Sequence, residues 1–321
     1  EMVEVSALVT AMESAKNGVG FVIDHHASPF AVEGSLEIIA KAFDKVGVSH
    51  LLCYEISDRD GQKISEKGLN ETASYLQERQ GLVGLHASFT LGDDSFKKAV
   101  ELADKFKSGL HIHVAEDEYD QQYNLTRYNK RVINRMKDLG ALQSKKTILA
   151  HCLHLNDAER KKVDDSKVWV VQNSESNLNN KVGFFTSIGL GRNIMLGTDG
   201  MHSDMLRSSK SAFFVGQNFD NIDYPSAYKR FRNVHTYLGT NGFSGDGDNN
   251  LVVLDYKPRT EFFTDNFFGH FIFGLEAKHV QHVISNGKLI VKDRELVNID
   301  ENEILLRARG LSQVLWKKMG K

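Results

Sequence analysis

The chain has 321 residues, 41% of them hydrophobic, with 40 Lys and Arg against 42 Asp and Glu and a net charge of −2. This composition excludes a disordered chain, and the balanced charge gives no pull toward nucleic acid or an anionic membrane surface. Two cysteines, Cys53 and Cys152, are too few for a disulfide framework and fit a reducing, cytoplasmic setting. No apolar run reaches the roughly 18 residues that a membrane span needs.

Glu1–Gly18 reads as an amphipathic helix, with Val5, Leu8, Val9 and Met12 near helical spacing. Short apolar runs then recur along the chain: Gly20–Asp24, Leu51–Tyr54, Leu82–Leu85, Leu110–Val114, Thr147–Ala150, Val168–Val171 and Ile194–Gly197. All are rich in Val, Ile or Leu and read as strands buried on both faces, as in a parallel sheet. Helical patterns separate them, at Ser35–Val46, at Ser95–Lys107 and as one longer, more polar helix over Asp120–Leu139. Strand–helix alternation predicts an α/β fold, and seven strands fall one short of a closed barrel. Asn241–Asn250 is a loop rich in Gly, Asn and Asp, and Leu251–Tyr256 is a further strand. His282–Val291 predicts a hairpin around Asn286-Gly287, the pair preferred in a type I′ turn. Glu301–Lys318 predicts a closing helix whose charges match its dipole. A boundary near 245 follows: a barrel-like unit over 1–245, then a β-rich module and helix over 246–321.

In a parallel barrel the chemistry gathers at the carboxyl ends of the strands. Seven of the 13 histidines fall there: His25, His26, His86, His111, His113, His151 and His154. The seventh run ends at Asp199, between Thr198 and Gly200. Imidazoles and a carboxylate on converging strand ends suit one divalent metal that activates water, with a free carboxylate to move protons. Zinc and iron both accept these ligands. Each residue has a plainer alternative. His113 suits a metal ligand or a hydrogen-bonded barrel histidine. His111, on the same side of its strand, suits the structural role better. Glu116 is a proton shuttle or a solvated acid, and His151 a catalytic or a core histidine. Asp199 is a ligand and base or a turn residue. His86 divides between substrate contact and structural bonding. His25, His26 and His202 are candidates for substrate or metal contact. Cys152 is an unlikely nucleophile, because a residue next to His151 on a strand points the other way.

Four segments taken in order resemble the amidohydrolase superfamily, in its cytosine-deaminase-like and triazine-hydrolase-like branch. They are His113-Val-Ala-Glu116, Ala150-His151-Cys-Leu-His154-Leu155, Gln172-Asn173-Ser-Glu-Ser176-Asn177 and Leu196-Gly-Thr-Asp199-Gly200. Asp24–Pro29 and Gly84–Leu91 are most similar to the SsnA-type aminohydrolases. The resemblance implies a distorted TIM (β/α)8 barrel with a small β-sandwich built from both chain ends. It implies His113 and Asp199 as metal ligands, with Asp199 also taking a proton from the attacking water. Glu116 would pass that proton to the leaving nitrogen, and His151 would steady the tetrahedral intermediate. His86, His26, Asn173 and His202 would contact substrate. The implied reaction is hydrolysis of a non-peptide C–N bond, deaminating a cyclic amidine or nucleobase-like compound, in a cytoplasmic homodimer. The alternatives are a chlorohydrolase of the same branch and a catalytically incomplete binding remnant.

The chain also departs from that pattern. The family places a His-x-His pair on barrel strand one as its first two ligands, and none precedes His113 here. The chain is therefore expected to lack strand one and the first sandwich strands, through removed or omitted segments. Gln172-Asn173 stands where many relatives carry His-Asn-Pro.

Overall fold

The computed structural model describes residues 1–320. Seven parallel strands form one sheet in sequence order: β1 (Phe21–His26), β2 (Ser49–Ile56), β3 (Val83–Ala87), β4 (Leu110–Val114), β5 (Ile148–His151), β6 (Trp169–Gln172) and β7 (Ile194–Leu196). Neighbours pair in register without crossing over, as Phe21 with Ser49 and Val170 with Ile194. Helices return the chain after each strand: α2 (Ser35–Val46), α3 (Gln62–Glu78), α4 (Asp93–Lys105), α5 (Glu118–Tyr128), α6 (Val132–Asp138), α7 (Asp157–Ser166) and α8 (Ser174–Asn180). Helix α1 (Met2–Lys16) precedes β1, and α9 (Met205–Phe219) and α10 (Tyr224–Asn241) follow β7.

The single helix expected over Asp120–Leu139 is two. It breaks where Asn129 takes a left-handed backbone, φ 51°, which Asn tolerates better than most residues. Helix α10 runs to Asn241 and ends on Gly242 in the left-handed region, where the loop begins.

Side-chain alternation divides the sheet into two faces. The outer face and the helices share the main core, which includes Leu52, Tyr54, Val83, Leu85, Ile112, Val114, Leu149 and Val170. The inner face is apolar only at its amino end. There Leu51, Cys53, Leu82, Ile148, Trp169 and Met195 pack with Phe21 and Ile23, and Tyr237 and Leu238 of α10 close the floor. One or two steps further along the strands the same inner face turns polar.

The remaining chain forms a four-stranded antiparallel sheet of β8 (Leu251–Leu254), β9 (Val280–Ser285), β10 (Lys288–Lys292) and β11 (Glu295–Leu296), ordered β11-β10-β9-β8. Among the described residues the β-rich module is this one antiparallel sheet, separate from the parallel one. Asn286 and Gly287 have φ 48° and 75°, as the predicted hairpin turn requires. A second turn, with positive φ at Asp293 and Arg294, carries no glycine and gave no sequence signal. Val280, Val283, Ile290 and Val291 of this sheet join the main core. The C-terminal helix Glu301–Lys318 seats Ile304 there too, and Lys16 of α1 holds Glu301 at 2.7 Å.

Sheet packing leaves no space at Gly109. A Cβ there would lie 2.3 Å from the Lys146 carbonyl carbon and 2.6 Å from the Thr147 nitrogen, both backbone atoms that cannot rotate away. Gly109→Ala should therefore cost about 1–3 kcal/mol, as overpacking does. A melting temperature equal to wild type would contradict this account of the β3–β4–β5 junction.

Candidate active site

The polar end of the inner face is built by two-residue periodicity. Phe21, Ile23 and His25 share it, as do Leu51, Cys53 and Glu55, and Gly109, His111 and His113. His113 lies at the centre. Its ring centroid is 4.7 Å from that of His25, 5.5 Å from His86 and 5.6 Å from His151, the last in a stacked arrangement.

Each histidine is held by a specific partner. The register of β3 on β4 shifts between Leu85 and Ala87. At that irregularity the His86 carbonyl accepts a hydrogen bond from His113 Nδ1 at 2.6 Å. The bond places the His113 proton on Nδ1 and leaves Nε2 with a lone pair. His25 Nδ1 and His111 Nδ1 lie 2.6 Å apart and share one hydrogen bond. His25 Nε2 is 3.3 Å from Glu55 Oε2. The Cys53 thiol donates to the Asp24 carbonyl at 3.3 Å, and burial pushes its pKa well above the ordinary value.

On the other side of His113, Glu116, His151 and Asp199 converge. His151 is fully buried, and its Nε2 lies 3.6 Å from Glu116 and 3.7 Å from Asp199. Asn177 Nδ2 donates to His151 Nδ1 at 2.8 Å, which puts the ring proton on Nε2, an atom with no other partner. Strict alternation would send His151 outward with Leu149. A left-handed backbone at φ 72° turns it inward, and Cys152, φ 56°, packs in the outer core. Asp199 and Ala115 have positive φ as well, 53° and 45°. Backbone in this region costs about 1–3 kcal/mol per non-glycine residue and gathers at functional sites. Burial opposes ionisation of Asp199, but the Ser176 hydroxyl at 2.6 Å and the Gly200 N–H at 2.7 Å outweigh it and hold the carboxyl below its ordinary range. Asn180 Nδ2 donates to Glu116 at 3.2 Å.

The other candidates lie around this centre. His86 Nδ1 bonds Thr90 Oγ1 at 2.9 Å, with its ring beside Phe89. His26 is not brought to the inner face: alternation sends it toward Tyr54, and Ser28 engages its Nε2 at 2.8 Å. His25, its neighbour, takes the inner position instead. His202 is held by Glu175 at 2.5 Å. Asn173 is buried, with Oδ1 unpartnered and set against Gly197, where an added Cβ would fall 2.3 Å away. His154 bonds the Val182 carbonyl at 2.6 Å, a structural role as anticipated. Sequence reasoning gave no site role to Glu55, Arg59, Ser176, Asn177 or Asn180. Ser176 and Asn177 lay within a motif already singled out, and Glu55 left a signal as a charge inside the apolar run Leu51–Ile56.

The amidohydrolase family model matches residues 1–231. A 5-methylthioadenosine/S-adenosylhomocysteine deaminase of Syntrophomonas wolfei is 24% identical, covering 98% of this chain and 75% of that protein. A 5'-deoxyadenosine deaminase of Methanopyrus kandleri is 28% identical, covering 93% and 73%. Among solved structures, a zinc-bound adenosine deaminase from Xanthomonas campestris superposes with a TM-score of 0.84 at 20% identity, over 98% of this chain and 75% of that one. A zinc complex of atrazine chlorohydrolase from Arthrobacter aurescens gives 0.83 at 15% identity, over 97% and 76%. The chain belongs to the amidohydrolase family. It is, as a class, a hydrolase of carbon–nitrogen bonds other than peptide bonds, of a family that works with a divalent metal. The donor set here fits such an ion: a histidine fixed with its Nε2 lone pair free, and a carboxylate held ionised.

The buried imidazoles set an acid limit. Burial lowers His26 and His86 to about 4 and depresses His25, His111 and His151 below the ordinary value of 6.5. The unfolded chain would bind these protons near 6.5, so it takes up more protons than the folded chain as pH falls toward 4. Asp24 and Asp120, raised to about 6 by burial, act oppositely but are fewer. Stability should therefore fall between pH 7 and 4. Thermal melts across that range test it, and a level or rising melting temperature on acidification would refute it.

Proposed function

We propose that this chain performs hydrolytic deamination of an amino-substituted nitrogen heterocycle, nucleobase- or nucleoside-like, releasing ammonia. The observation that carries the proposal is the convergence of Glu116, His151 and Asp199 beside the free Nε2 of His113. The deaminase names of the curated relatives support it. Likeness to the chlorohydrolase structure bears on fold alone, so amine is preferred to chloride as the leaving group.

His113 and Asp199 would hold the metal, zinc or iron, which when bound supplies Lewis-acid activation of the attacking water. Asp199 accepts the proton that water gives up as its oxygen bonds to the ring carbon. Glu116 carries that proton to the amino nitrogen, which leaves as ammonia, while the other proton of the added water passes to the adjacent ring nitrogen and the carbon keeps a carbonyl. His151 donates its Nε2–H to the oxygen on the attacked carbon, where negative charge develops. His86 lines the pocket. Within the family we place the chain beside the SsnA-type aminohydrolases, on Asp24–Pro29 and Gly84–Leu91. We extend the proposal to a barrel unit at 1–245, a β-rich module at 246–321, a cytoplasmic setting and a homodimer. No helix among the described residues is long and apolar enough to cross a membrane. The exposed Phe262, Phe263 and Phe273 offer an apolar face for the second copy.

Glu116→Gln should keep its metal content while kcat for ammonia release falls about 10²-fold or more. His113→Ala should lose the metal. Elemental analysis and an ammonia-coupled assay read both. Unchanged turnover in Glu116→Gln would remove the proton-shuttle role, and full metal occupancy in His113→Ala would remove the ligand role.

A further inference from the structure

The proton-transfer groups lie on the β4–β7 side of His113. The β1–β3 side holds a second polar group that the proposed chemistry leaves unused. Glu55 sits on β2 in step with Leu51 and Cys53, whose side chains are both fully buried. Its own side chain is 11% exposed. Arg59 Nη2 donates to Glu55 Oε1 at 2.7 Å, and Arg59 Nε is braced on Ser57 Oγ at 3.2 Å.

A structural role explains this poorly. An ion pair with a half-exposed arginine stabilises little, while drawing the carboxylate out of water costs more. An apolar residue, continuing the pattern of Leu51 and Cys53, would pack this position at no such cost. The pair instead lies close enough to His86 for both charges to act on its ring. Glu55 Oε2 faces His25 Nε2 at 3.3 Å and accepts no other contact among the described residues, so it keeps a lone pair for a further donor. Arg59 Nη1 donates to nothing among them. One acceptor with a spare lone pair therefore stands beside one free donor, bridged by their own contact.

We propose that Glu55 and Arg59 read the ring edge of the substrate farthest from the departing amine, and that this edge is a lactam, an N–H next to a C=O. The N–H donates to Glu55 and the carbonyl accepts from Arg59. A ribose cis-diol fits less well, because it offers two donors and Oε1 already receives Arg59. A carboxylate ligand would meet Glu55 charge to charge. The substrate is thus an amino-oxo heterocycle of the purine, pyrimidine or triazine type, rather than an aminopurine without an oxo group. This deepens the proposed deamination, while its test reads binding alone.

Calorimetric titration of the full chain provides the test, with xanthine and uracil as lactams that have no amino group to lose. Purine and purine riboside are the ligands without a lactam. Wild-type protein should bind the lactams about tenfold or more tightly than purine, because a site built for a polar edge rejects the analogue lacking it. Glu55→Gln and Arg59→Met should each weaken lactam binding about tenfold or more and leave purine binding nearly unchanged. Arg59 is half exposed, so its variant folds even if the buried one does not; melting curves check both. Lactam binding that is absent, no tighter than purine, or indifferent to both substitutions overturns the proposal. Riboside binding that is tighter and is lost in Glu55→Gln overturns it in favour of the diol. Ammonia release that never occurs, with Glu55-dependent lactam binding intact, overturns the deaminase proposal and leaves this one standing.

Discussion

The hydrogen bond from His113 Nδ1 to the His86 carbonyl is the contact on which the rest of the site depends. A backbone carbonyl only accepts, so the bond settles the tautomer and aims the Nε2 lone pair into the mouth. The carbonyl is available because the β3–β4 register shifts there. A regular ladder would consume it. The Ser88–Thr90 turn that follows is fixed from behind by Arg135, which is 2% exposed. Its guanidinium donates to the Ser88 carbonyl at 2.5 Å and the Leu91 carbonyl at 2.7 Å, and it stacks 3.6 Å over Tyr128. A buried cation is tolerated only when its donors are met, and these acceptors lock the turn that carries His86 and Phe89.

The same economy of constraint appears across His113. His151 and Asp199 reach the centre through left-handed backbone that alternation alone would not provide. Side-chain partners hold each in one state, Asn177 for the ring and Ser176 for the carboxyl. Both partners come from α8, whose seven residues also bring Asn180 to Glu116. This short helix is thus the common support of Glu116, His151 and Asp199. Ala115, also left-handed, gives its N–H to Asp120 at 2.9 Å, so the turn leading to Glu116 is tied down as well.

The inner face carries a gradient that separates stability from chemistry. Apolar residues and Tyr237 fill the amino end, and imidazoles and carboxylates fill the carboxyl end. Strands only three to eight residues long suffice because each contributes one or two steps to each layer. Gly84 and Gly109 let the strands approach where a side chain would collide with backbone.

The sequence by itself determined the strands, their parallel order, the hairpin at Asn286-Gly287 and the C-terminal helix, because these rest on local periodicity and turn chemistry. It also carried His113, Glu116, His151 and Asp199, since ordered motifs at strand ends are visible without coordinates. Tertiary structure alone decided which histidine of the His25–His26 pair faces inward, because that depends on strand register relative to the sheet. It decided the break at Asn129 and the glycine-free turn at Asp293-Arg294, where the backbone adopts positive φ without a composition signal. It also brought Glu55, Asn177 and Ser176 to the site, since these partners lie 23 or more positions away in the chain and meet them only when the sheet curls.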